Sequence, residues 1–219
     1  MKREALKTLL EKFGQKYSEI LGIKLEVASD MEVFKWFLAS LLFGAPIIES
    51  SVINTYGCFR KYGLLSPERI LKTEWDELVK ILDEGGYTRY DFKTADKLLL
   101  VMGNLEKYYG GSLNLLHLKA LDSRDLEKRL KRLGKGVGDV TVSIFLRDLR
   151  EVWKKADPRP TPLVIFAATN LGITKSHQPE EILEELKKFW SKNQIEGFTF
   201  VNFETALVRL GKEQRRRKN

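Results

Sequence analysis

The chain has 219 residues, of which 43% are hydrophobic, and carries 38 Lys+Arg against 30 Asp+Glu for a net charge of +8. That is enough apolar material for one good core or two small lobes sharing a cleft, which excludes global disorder, and the basic balance favours an anionic partner such as nucleic acid. No apolar run approaches the ~18 residues of a membrane span, the start Met1-Lys2-Arg3-Glu4 lacks an apolar leader, and the single cysteine, Cys58, leaves no intrachain disulfide and no Cys-rich metal or cluster site; a cytoplasmic protein is expected, nucleoid-associated in a prokaryote.

Apolar residues recur at helical spacing along nearly the whole chain, so the expected class is all-α. The spacing predicts helices over 6–17 and 33–43, the second apolar enough to lie in the core, and a third over 51–61. Ser66-Pro67 reads as a cap followed by proline at the first helical position, and Thr73-Glu-Trp-Asp76 as a capping box before the next helix, which Gly85-Gly86 stops. Helices follow over 93–108, ended by Tyr109-Gly110-Gly111, over 123–133 with Ser123 at the cap, and over 140–153. Asp157-Pro-Arg-Pro-Thr-Pro162 forbids helix through its three prolines, after which 163–171, 180–190 and 203–210 resume it. Residues 194–200 read as loop or short strand. In the basic end, 211–219, five cations against one anion suit a phosphate clamp or a solvated terminus equally.

The informative stretch is 130–146, where glycines at 134, 136 and 138 separate two helical patterns. Such glycines permit positive φ and let backbone amides at the start of the second helix face a phosphate, aided by the helix dipole and by Lys135. Val137, between two of them, packs inward. Gly134, Lys135, Gly136, Val137 and Gly138 are therefore the candidate backbone-binding residues, and contacts of that kind carry no base information. A tight helix–helix turn would need similar residues.

Leu133-Gly-Lys-Gly-Val-Gly-Asp139, followed by Ala156-Asp157 and an apolar helix, resembles the hairpin-plus-aspartate signature of the helix-hairpin-helix DNA glycosylases, the endonuclease III-related superfamily. The resemblance covers about 31–172 and includes Phe37-Leu-Ala-Ser-Leu-Leu42 and Gly86-Tyr87 with Lys93-Thr-Ala95. It implies one glycosylase unit of all-α, two-lobed fold, with a DNA-binding cleft between lobes and with 1–30 and 173–210 packing as the second lobe. The partner it implies is duplex DNA containing a modified base, with no membrane and no obligate protein partner; the reaction is cleavage of the N-glycosidic bond of an extruded nucleotide. Asp157 is then the catalytic candidate, although an aspartate before proline is also ordinary turn or helix-cap chemistry. Among aromatics able to hold a base, Trp36, Phe43, Tyr87, Tyr90 and Trp153, the loop residues Tyr87 and Tyr90 are singled out.

Two departures bear on the chemistry. Relatives that also cleave the strand carry a lysine where this chain has Val140, so a monofunctional enzyme using water is expected. Where relatives place a glutamine that fills the gap left by the flipped base, Ala45 and Pro46 offer no amide. No metal site is expected at His117 or His177, no iron–sulfur cluster, and no cofactor beyond a monovalent cation at the hairpin. The competing reading is a catalytically silent helix-hairpin-helix DNA-binding protein.

Overall fold

The computed structural model describes residues 1–218, and among these it has thirteen α-helices, one 3-10 turn and no strand. Among the described residues no helix is long and apolar enough to cross a membrane. Two compact units divide the chain: Leu21 to Asp157, and Met1 to Ile20 together with Pro158 onward.

The Leu21–Asp157 unit is built around α3 (Asp30–Phe43), which is apolar on nearly every side and buried on nearly every side as a result. Ser29 starts it by accepting from the Glu32 amide at 3.2 Å. Helix α10 (Asp139–Asp148) packs against it: the Trp36 indole donates to the Phe145 carbonyl at 3.0 Å, and Phe37 meets Phe145 edge-on at 5.0 Å between ring centres. Gly44, just past α3, lies so close to Thr141 that a Cβ has no room there. Around this pair run α4 (Glu49–Lys61), α5 (Pro67–Lys72), α6 (Trp75–Glu84) and α7 (Asp91–Tyr109).

Caps set the boundaries, and two differ from expectation. Ser66 caps α5 as predicted, accepting from the Arg69 amide at 3.2 Å. Thr73 does not cap α6; its hydroxyl donates back to the Arg69 carbonyl at 2.9 Å and closes α5, leaving Glu74 at the start of α6. Likewise α9 (Ser123–Lys131) is capped by Asp122, which accepts from the Asp125 amide at 2.8 Å, and not by Ser123. The sequence pattern shows no helix between Gly111 and Asp122, yet α8 (Leu113–Lys119) forms there, capped by Ser112 at 2.9 Å from the Leu115 amide. Seven residues are too few for periodicity to reveal.

The other unit joins α1 (Arg3–Phe13) and the short α2 (Tyr17–Ile20) to α11 (Pro162–Asn170), α12 (Pro179–Asn193) and α13 (Phe200–Lys218). Its core gathers Leu6, Leu10, Val164, Ile182, Leu186 and Phe203. The division falls differently from the predicted one: residues 21–30 belong with the hairpin unit, and α11 belongs with the chain ends because its apolar residues pack on α13. Residues 194–199 form a loop leading into α13, which starts at Phe200 and runs well past the predicted stop at Leu210. Gly211 is the reason the helix can pass there, since a Cβ on it would stand 2.5 Å from the Leu163 carbonyl oxygen. The basic stretch is thus helical as far as it is described, with Lys212 reaching the Tyr17 hydroxyl at 3.4 Å and the Arg215 guanidinium 5.5 Å from the centre of the Phe166 ring.

Candidate nucleic-acid interface

The hairpin between α9 and α10 has three glycines in three different settings. Gly134 packs on α7, where a Cβ would come within 2.9 Å of a Val101 methyl. Gly136 has φ +96°, a conformation L side chains rarely adopt, and leans on the Lys97 chain. Gly138 has open space around it and an ordinary φ of −96°. Val137 is buried between them as expected, its amide donating to the Gly134 carbonyl at 3.1 Å. Asn104 of α7 secures the turn by donating to the Leu133 carbonyl at 2.9 Å. An asparagine in the middle of an apolar helix is the signal that could have revealed that contact.

Gly138 stands at the N-cap of α10 and brings no capping side chain, so the first-turn amides have no local acceptor. Asp139, the first residue of that helix, is tethered by the Lys131 ammonium, which offsets the repulsion its carboxylate would exert on an arriving anion. Lys128, Lys131, Arg132 and Lys135 crowd the same short segment. Val140 is half-exposed beside the turn, so its apolar side chain is not committed to the core.

Asp157 lies in the same unit, after the turn that follows α10. The capping alternative does not hold: α11 is capped by Thr161, which accepts from the Val164 amide at 3.4 Å. Asp157 instead pairs with the guanidinium of Arg150, whose side chain is only 7% exposed against 38% for the carboxylate. Arg150 carries no sequence signal, because only the turn between it and the aspartate brings the two together. Next to this turn Trp153 is buried, its indole donating to Asn114 at 2.9 Å and its ring stacked on His117 at 4.6 Å. His117 accepts from the Lys155 amide at 3.4 Å, and burial, together with the Lys155 charge, lowers its pKa. The Lys155 ammonium binds the His117, Leu118 and Ala120 carbonyls at 2.9, 3.2 and 2.6 Å, closing the end of α8.

The aromatic candidates separate clearly. Tyr87 is fully buried and its hydroxyl donates to the Leu42 carbonyl at the end of α3; burial pushes its phenol above the ordinary range, and neither ring face is open to a base. Trp36 and Trp153 are likewise core residues. Phe43 is half-buried at the end of α3, tilted against Trp36 at 6.5 Å. Tyr90 remains accessible, half-buried at the start of α7 with the Arg89 guanidinium 5.9 Å from its ring centre.

No protein-family model matches the chain, and no curated protein matches it. Among solved structures it is similar to the H. pylori 3-methyladenine DNA glycosylase MagIII bound to 1,N6-ethenoadenine, at 15% identity and a TM-score of 0.58, over 99% of this chain and 98% of that one. The likeness is one of fold: the chain shares the all-helical fold of that DNA glycosylase along nearly its full length.

Proposed function

We propose that the protein is a DNA glycosylase of base-excision repair that uses water and leaves an abasic site. The observation that carries this reading is the hairpin: an uncapped helix start, an open glycine and a cluster of cations in one turn form a sequence-blind seat for a DNA phosphate, on a fold shared end to end with a known DNA glycosylase.

In the reaction, the bond between C1′ of the sugar and the base nitrogen breaks and the electron pair leaves with the base. Positive charge develops on the sugar, and a carboxylate beside it stabilises that charge and orients the water whose oxygen bonds to C1′. The water proton neutralises the departing base. Asp157 supplies the carboxylate, and Arg150 fixes its orientation through their ion pair. Val140 presents no amine to attack the sugar, which supports hydrolysis without strand cleavage. Tyr90 is the accessible aromatic for contact with the nucleic acid. Duplexes carrying alkylated or etheno adenine are the first substrates to test, given what the structural neighbour binds.

Incubation with a panel of duplexes, each with one modified base, followed by alkali to cleave at abasic sites, tests the proposal. Base release by the wild type and its loss by several orders of magnitude in Asp157→Asn, with duplex binding retained, is the expected result. Equal release by both proteins removes Asp157 from the mechanism. Tight, salt-sensitive binding with no release from any duplex selects the silent DNA-binding protein instead.

A further inference from the structure

Beside the hairpin, and separate from the α10 amides, is a pocket of about 550 Å³. Its walls are α7, the hairpin and the turn after α3, and it is lined by Tyr90, Lys93, Lys97, Lys135 and the side-chain-poor Gly44 and Ala45. Three lysines from two elements therefore converge on one cavity. Lys93 and Lys135 have no ion-pair partner among the described residues, and the Lys97 ammonium binds only the Leu41 carbonyl, at 2.8 Å. The one lining carboxylate, Asp96, accepts from the Trp75 indole at 2.8 Å. Unpaired cations gathered around a concave space, with a backbone wall close by, suit a tetrahedral dianion or a phosphodiester.

We propose that this pocket is a second phosphate seat, in which Lys93, Lys97 and Lys135 hold a backbone phosphodiester of the bound DNA. The proposal rests on the DNA-binding reading and adds a second point of contact to the hairpin amides. Two points on separate elements fix the register of a duplex, where one leaves it free to pivot. Burial lowers the Lys97 ammonium to about 8, and the groups that face it are Lys93, Asp96 and Tyr90 from α7 and its start, Lys135 from the hairpin and the Leu41 carbonyl from α3. An arriving phosphate favours the charged form, so binding takes up a proton: about half a proton per complex at pH 8, and affinity that falls as pH rises beyond 8.

The test is titration of an undamaged duplex into the full chain, across salt concentrations and in two buffers of different ionisation enthalpy at pH 8. Lys93 is exposed, so Lys93→Ala is expected to keep the fold and to lower the slope of log Kd against log salt by about 1. Lys97→Met is expected to lower the slope similarly and abolish the buffer-dependent heat, while Lys97→Arg keeps the slope and still abolishes that heat; melting curves check that each variant is folded. Wild-type slopes in Lys93→Ala and Lys97→Met, with the buffer-dependent heat intact in Lys97→Arg, overturn the seat, and persisting base release would show that the glycosylase reading survives it. If inorganic phosphate or a mononucleotide raises the wild-type Tm but not that of Lys97→Arg, while the duplex slopes are unchanged, the pocket takes free anions and the DNA assignment falls. A wild type that binds no duplex at any salt overturns both readings.

Discussion

Gly136 and Gly138 are two residues apart and respond differently to the same methyl group. At Gly136, φ +96° and the Lys97 chain at 2.9 Å oppose a Cβ, so Gly136→Ala is expected to cost about 1–3 kcal/mol and to lower the Tm visibly. At Gly138 nothing stands within 4 Å, so Gly138→Ala should leave the Tm within a degree or two yet weaken duplex binding several-fold, because the methyl enters the space a phosphate would use. Unchanged binding by a folded Gly138→Ala protein counts against the hairpin as the contact. His117 gives a pH dependence of known sign. Burial lowers its pKa, so the folded state resists protonation, and the stability present above the unfolded value near 6.5 is lost as pH falls below it. Thermal melts from pH 7.5 to 5 should show a drop that His117→Phe, which keeps the stack on Trp153, reduces; parallel curves for the two proteins would exclude His117 as its source.

Helix boundaries depend on contacts of different reach. Where the capping residue is adjacent in sequence, as at Ser66, the boundary is legible. Where two adjacent residues could both cap, as Asp122 and Ser123, local chemistry leaves the choice to geometry. Asp122→Ala should cost about 1 kcal/mol by circular-dichroism melts, and Ser123→Ala much less; the reverse ranking would place the cap at Ser123. The extent of α13 was not legible at all. A glycine near the end of an apolar pattern reads as a helix stop, whereas Gly211 marks where α13 passes against the Leu163 backbone. Gly211→Ala, favourable by helix propensity alone, is therefore expected to destabilise by about 1–3 kcal/mol. A raised Tm would show that the crossing is looser than the structure has it.

Across the whole molecule the charge is unevenly placed. The unit made of the chain ends holds 16 basic against 10 acidic residues, and the Leu21–Asp157 unit 22 against 20, so the hairpin sits in the nearly neutral one. On the proposed reading, affinity for a polyanion would come from where cations are placed and not from net charge. Because Leu21–Asp157 is a continuous segment, it is expected to unfold cooperatively on its own and to bind duplex DNA more weakly than the full chain, which denaturation and salt-dependent binding can check; a fragment without a cooperative transition would mean that this unit needs the rest of the chain to fold. The sequence by itself determined the all-helical class, most of the helices and the hairpin, because periodicity, proline, glycine and caps act over a few residues. Tertiary structure alone decided that Tyr87 is buried and Tyr90 is not, that Asp157 pairs with Arg150 and does not cap α11, and that Lys93, Lys97 and Lys135 share one pocket. Those outcomes depend on which helix faces meet, and helix faces meet by packing between residues far apart in the chain, which no local pattern encodes.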